Sequence, residues 1–206
     1  MKVLLVIGSP NKEGCTYTAL SEVARTLNEN GIDTEFFHIG TKPLFGCTAC
    51  EKCPELGKCA IDGDICNELA AKIRQADGVV IGSPVYYAGP NGALCALLDR
   101  VFYSSRGMLK HKPAAAVVSC RRGGASAAFD RLNKYFTIAQ MPVITSQYWN
   151  SVHGMTPDEV RRDLEGMQVI RILGNNMAWM LKLIESGSPP PTKEAERIYT
   201  AFADGK

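Results

Sequence analysis

Cysteine is the reactive side chain this chain concentrates. Of 8 cysteines in 206 residues, six fall between Cys47 and Cys95. The run Cys47-x2-Cys50-x2-Cys53-x5-Cys59 places four thiols in one short stretch. Closely spaced thiolates reach successive irons, so overlapping Cys-x2-Cys steps form an iron–sulfur pattern. Four thiolates also complete a closed tetrahedral zinc site, and the same residues can pack as plain thiols without metal. The ferredoxin run differs, since its fourth cysteine follows the third after three residues and precedes proline. Gly46 and Gly57 give the stretch freedom to fold, and Lys52 and Lys58 offset thiolate charge. Cys66, Cys95 and Cys120 read as small buried hydrophobes. His38, His111 and His153 are scattered without metal-ligand spacing.

Three loops carry the other chemistry. Gly8-Ser9-Pro10-Asn11-Lys12-Glu13-Gly14-Cys15-Thr16 leaves an apolar run and opens a helical pattern. Free N–H groups at a helix start, with Ser and Thr hydroxyls, suit a phosphate. It is not a Walker A loop, because Cys15 stands where the lysine belongs, and Gly-x-Gly-x-x-Gly is absent. An ATPase or a Rossmann dehydrogenase is thereby disfavoured. Ser83-Pro84-Val85-Tyr86-Tyr87-Ala88-Gly89-Pro90-Asn91-Gly92 offers a rigid turn with a flat aromatic wall. Ser119-Cys120-Arg121-Arg122-Gly123-Gly124 combines close-approach glycines with guanidinium charge.

Alternating elements position these loops. Strands are predicted at 3–7, 33–39, 78–82, 114–118 and 143–146, and helices at 16–30, 64–76, 92–102 and 126–139. Helical periodicity resumes over 157–184, with a break predicted near Gly174-Asn175-Asn176. Alternation of this kind gives a parallel sheet covered by helices on both faces. Ligands then sit at the carboxyl ends of the strands, where the three loops fall. The stretch 42–62 interrupts the alternation as a cysteine-rich insert, and 147–154, with Tyr148 and Trp149, lies on the same rim as a candidate lid. Residues 1–185 read as one domain and 186–206 as a polar tail.

Gly8-Ser9-Pro10 with Gly14 and Thr16, then Gly82-Ser83-Pro84-Val85-Tyr86, then Leu98-Asp99-Arg100, resemble the NADPH-dependent FMN reductase family of flavodoxin-like proteins. The resemblance covers roughly the first 145 residues. It implies an α/β flavodoxin-like three-layer sandwich, with a five-stranded parallel sheet in the order 2-1-3-4-5. It implies FMN with its phosphate at Ser9, Asn11, Gly14, Cys15 and Thr16. The ring would lie against Pro84, Val85, Tyr86, Tyr87 and Gly89 and against Ser119, Arg121, Arg122, Gly123 and Gly124. Cys15 departs from the family, which often has Asn or Ser there. The cysteine insert further resembles the iron–sulfur flavoproteins of anaerobes, implying a [4Fe–4S] cluster on Cys47, Cys50, Cys53 and Cys59.

The expected activity is therefore electron transfer through FMN from NADPH or NADH to flavin, quinone or another small acceptor. The alternative is an electron carrier between ferredoxin and an acceptor. No catalytic side chain is needed, since the flavin N5 carries the chemistry. Lys and Arg total 23 against 21 Asp and Glu, which gives no electrostatic case for nucleic acid or a membrane surface. With 46% hydrophobic residues the chain can bury a core. The five apolar residues after Lys2 are too few for an export signal, and no apolar run reaches membrane-spanning length, so a cytoplasmic protein is expected. Exposed aromatics near the rim, with an apolar stripe through Val169, Ile172, Met177, Trp179, Met180 and Leu183, predict a homodimer or higher homo-oligomer.

Overall fold

The computed structural model describes residues 1–187 and 189–191. Most of the predicted tail lies outside the described residues. Val3, Leu5 and Ile7 point to one face of the first strand, and Leu4 and Val6 to the other. A strand apolar on both sides must be covered on both sides. That strand is β1 (Lys2–Ile7), and it pairs in parallel with β2 (Asp33–His38) and β3 (Gly78–Tyr86). Between them run α1 (Cys15–Glu29), α2 (Cys53–Leu56) and α3 (Cys66–Gln75). Then follow β4 (Gly89–Pro90), α4 (Gly92–Ser104), β5 (Ala114–Cys120), α5 (Ala125–Ile138), β6 (Ser151–His153), α6 (Pro157–Arg162) and α7 (Leu164–Glu185). The sheet order is β2-β1-β3-β5-β6, with β4 paired to β3. The five parallel strands thus follow the expected order, and the sixth is a short hairpin arm.

One face packs Leu20, Val23 and Leu27 of α1 and Ile170, Leu173 and Met177 of α7 against β1, β3 and β5. The other packs Leu69, Leu97, Leu98, Leu132 and Phe136 from α3, α4 and α5. Gly82 lets α1 approach β3 closely, because a Cβ there would sit 2.8 Å from Leu20 Cδ1 and Thr16 Cγ2.

Three elements differ from the sequence expectation. β3 continues through Pro84 to Tyr86 rather than ending at Gly82. The Gly82 carbonyl faces β1, accepting from Gly8 N at 2.8 Å. Residues two apart point the same way, so Pro84 turns its missing N–H to the side where β1 has ended, and no ladder bond is lost. The fifth parallel strand is Ser151–His153, not 143–146. Val143 makes one bridge to Ala114, and pairing resumes only at Val118↔Ser151. In between, the Asn150 side chain donates to Ala116 O at 3.0 Å, standing in for a strand amide. Finally, α7 runs unbroken through Gly174, and the helical stretch divides instead at Asp163.

Candidate FMN and cysteine sites

The carboxyl ends of β1, β2, β3 and β5 are bound into one cradle. Asn91, buried at the start of α4, donates from Nδ2 to Gly8 O at 2.9 Å. Its backbone N–H donates to Ser83 Oγ at 3.0 Å, and its Oδ1 caps Ala93 N at 3.0 Å. The first loop is thus fixed to the loop after β3. Thr16 Oγ1 lies 2.8 Å from Ser119 Oγ, joining the start of α1 to the end of β5. His38, at the end of β2, holds Ser9 O through Nε2 at 2.8 Å. Sequence reading gave His38 no part in this site and placed Asn91 in the second loop without a role. Their signal was position alone, one at a strand end and one before a helix.

Within the cradle, Ser9 Oγ accepts from Asn11 N at 3.1 Å, which leaves its hydroxyl proton free for a ligand. The start of α1 has Gly14 as N-cap, without a side-chain cap. Its first N–H groups are therefore open, which is the chemistry a phosphate needs. Thr16 is buried against Gly82 and its hydroxyl is engaged by Ser119, so it braces the loop. Burial pushes the Cys15 thiol up, with Glu159 nearby adding to the effect, and its Sγ contacts Gly154 O at 3.7 Å. Cys15 is a neutral thiol beside the helix start.

The predicted aromatic wall is a hairpin. Tyr86 and Gly89 pair across a two-residue turn in which Tyr87 and Ala88 take φ of 49° and 60°. Turns with both central residues left-handed match the twist of a hairpin. Without glycine they cost on the order of 1–3 kcal/mol per residue, which sites commonly bear at ligand clamps. Tyr87 stands fully exposed and Tyr86 half-exposed. Gly124 packs so closely on this turn that a Cβ would lie 2.6 Å from Ala88 Cα. The structure therefore brings Pro84, Val85, Tyr86, Tyr87 and Gly89 beside Ser119 and Gly124. Arg121, Arg122 and Gly123 are exposed on the turn between them.

The cysteine insert forms a second site. Cys47, Cys50, Cys53 and Cys59 line one small cavity with Ile61, Arg100 and Tyr103. Cys47 and Cys50 are exposed, Cys53 and Cys59 buried. Burial pushes the Cys53 thiol up, reinforced by Cys59, Cys50 and Cys47. Ala49 and Glu51, on either side of Cys50, have φ of 51° and 56°. Turns of this kind gather backbone N–H groups into concavities that suit phosphates and iron–sulfur clusters. Among the described residues no three His, Cys, Asp or Glu side chains are drawn together as they would be around a bound metal ion. A cubane takes one thiolate per iron and spreads them around itself, and four cysteines lining one cavity supply that donor set.

The insert packs along α4 as far as Arg100, eight residues after Gly92. At about 1.5 Å per residue the Arg100 backbone lies roughly 12 Å down the helix axis from Gly92.

The fold, the rim cradle and the open start of α1 together define a flavodoxin-like FMN-binding α/β protein. Residues 1–156 match the NADPH-dependent FMN reductase family, and the chain belongs to it. It is 35% identical over 193 residues to an iron–sulfur flavoprotein of Methanocaldococcus jannaschii, spanning 90% of this chain and 100% of that protein. The solved structure of RosB with bound 8-demethyl-8-formylriboflavin-5'-phosphate superposes with a TM-score of 0.72 at 14% identity, over 98% of this chain and 92% of that one. A flavodoxin, WrbA-like protein of Agrobacterium tumefaciens superposes with a TM-score of 0.61 at 13% identity, over 88% and 97% of the two chains. At such identities these two structures show the fold alone. The protein is thus an FMN-binding oxidoreductase of the NAD(P)H-dependent reductase type. Among the described residues no helix is long and apolar enough to cross a membrane.

Proposed function

We propose that residues 1–185 act as one domain carrying FMN at the rim and a [4Fe–4S] cluster on Cys47, Cys50, Cys53 and Cys59. In this reading electrons pass between a protein donor such as ferredoxin, or NAD(P)H, and a small acceptor. The observation that carries it is the shared cavity of four thiols on an otherwise flavodoxin-like fold. Bound FMN supplies hydride and single-electron chemistry. The chain's own residues hold it. Ser9, Asn11, Gly14, Cys15 and Thr16 form the phosphate end. Pro84, Val85, Tyr86, Tyr87 and Gly89 form one wall of the ring site, and Ser119, Arg121, Arg122, Gly123 and Gly124 the other. All eight cysteines are unpaired, which fits a reducing cytoplasm. The full-length likeness to a protein named an iron–sulfur flavoprotein supports the cluster.

The test is anaerobic purification and reconstitution, followed by absorbance, iron and sulfide analysis. About four irons per chain, lost in Cys50→Ser with FMN retained, is the result expected from one thiolate per iron. Flavin reduction by reduced ferredoxin, faster than by NADPH, then identifies a carrier. No iron uptake, with intact FMN and NADPH-driven turnover, would return the insert to a metal-free loop on a plain reductase.

A further inference from the structure

Arg100 is 1% exposed, in the middle of α4. A guanidinium so far from water must be fully partnered, and each of its partners lies in the cysteine insert or at its end. Nε donates to Cys59 Sγ at 3.2 Å. Nη1 donates to Phe45 O at 3.3 Å and forms an ion pair with Asp64 Oδ2. Nη2 donates to Ile61 O at 2.6 Å. Asp64 is fixed in turn by the N–H groups of Phe45 and Cys66, each at 3.0 Å. One side chain on α4 therefore gathers the entry, the exit and one sulfur of the insert. The Cys59 backbone is clamped as well, with Asn67 bonding its N–H at 2.9 Å and its carbonyl at 3.0 Å.

Stability alone does not call for this arrangement. Apolar residues of similar volume commonly replace a buried ion pair at no loss. What they cannot supply is a directed, charged N–H on a sulfur. Among the described residues no side-chain N–H is directed at the sulfurs of Cys47, Cys50 or Cys53, so the four thiols are not equivalent. Hydrogen bonds to sulfur are among the factors that set cluster potentials, and a cationic donor favours the more negative, reduced state.

We propose that Arg100, held by Asp64, is the positioning residue of the cysteine site, fixing Cys59 for ligation and raising the potential of the bound cluster. This rests on the cluster reading above. The test compares wild type with R100K, R100Q and D64N, reconstituted anaerobically, with FMN content reporting the fold. Lysine keeps the charge but not the planar fork that serves several acceptors at once. The arginine variants should retain FMN, hold less iron and sulfide, and show a lower cluster midpoint potential, whereas D64N, which removes an anion beside the same guanidinium, should hold less iron without that fall in potential. In metal-free protein, deuterium labelling of the Cys59 amide should be about tenfold faster in R100Q than in wild type, the release expected from one charge-assisted bond. Labelling of the Cys47 amide should not change.

Loaded R100K with wild-type potential and iron content, and D64N with wild-type iron content, would overturn the inference and leave the cluster reading intact. A wild type that takes up no iron would remove the cluster reading, and the labelling pattern would then decide the hold of Arg100 on Cys59 by itself. If R100Q loses FMN through misfolding, R100K and D64N decide the outcome.

Discussion

His38 reaches Ser9 O from the end of β2, and nothing in its sequence neighbourhood announces that contact. The bond fixes the loop that presents the open start of α1, so its loss should reach FMN through the loop. Replacing His38 with Ala should cost about 1 kcal/mol of binding, roughly fivefold in FMN affinity, the net worth of one ordinary hydrogen bond. Gln, which carries a donor at similar reach, should recover most of it. Flavin fluorescence titration checks both variants, and unchanged affinity in H38A would detach His38 from the site. At this scale the sequence made the strand-to-helix loop legible through residue type, since Gly, Ser and Thr before a helix suit a turn whose open N–H groups can take a phosphate. It did not reveal which hydroxyls are already engaged. The Thr16 hydroxyl also meets that of Ser119, 103 positions away, a contact that residue type does not announce.

Among the elements, the α1–α7 contact shows how one residue type carries two meanings. Gly174 followed by two asparagines resembles a helix stop, and glycine costs about 1 kcal/mol relative to alanine inside a helix. Here it serves close approach, because a Cβ at Gly174 would lie 2.7 Å from Thr26 Cβ on α1. Such a clash costs about 1–3 kcal/mol, which offsets or exceeds the gain in helix propensity. Gly174→Ala should therefore lower the thermal midpoint, and a raised midpoint would show that the two helices separate freely.

Glu22 ties the same pair of helices, 2.7 Å from Arg25 and 3.0 Å from Arg171. The Arg25 hydrogen bond foremost, then Arg171, outweighs burial and holds its carboxyl below the usual range. A lowered folded-state value gives stability that is complete above the unfolded glutamate value of about 4.3. That stability fades as pH falls through the folded value. Its size, for a partly exposed pair, is at most about 1 kcal/mol. Glu22→Gln should lack this contribution at neutral pH and lose less stability than wild type on acidification, as thermal melts from about pH 6 to pH 3 would show. Parallel loss in both proteins would mean that Glu22 carries no linkage.

For the whole molecule, the parallel sheet was legible because apolar runs in alternation with helices admit few topologies, and its strand order followed from the family resemblance. The outer edge was not, and the reason lies in β5 and its partner. Five residues of β5, from Ala114 to Val118, face nine of the partner, from Val143 to Ser151. The surplus loops outward and carries Tyr148 and Trp149, with rings 5.0 Å apart and side chains 60% and 54% exposed. Asn176 Nδ2 bonds Thr145 O at 2.8 Å, which holds this loop against α7. Trp179, one turn on from Asn176, is 62% exposed on the same side. Of the stripe expected at an interface, Val169 and Met177 belong to the chain's own core, whereas Trp179 and Leu183 stay exposed. Large aromatics grouped on one surface are characteristic of interface centres. We therefore expect a symmetric dimer or higher oligomer with Trp149 and Trp179 at its contact. Sedimentation at micromolar concentration should show the assembly in wild type, and its loss in a W149A/W179A double variant that retains FMN. A wild-type monomer would leave these aromatics to another partner.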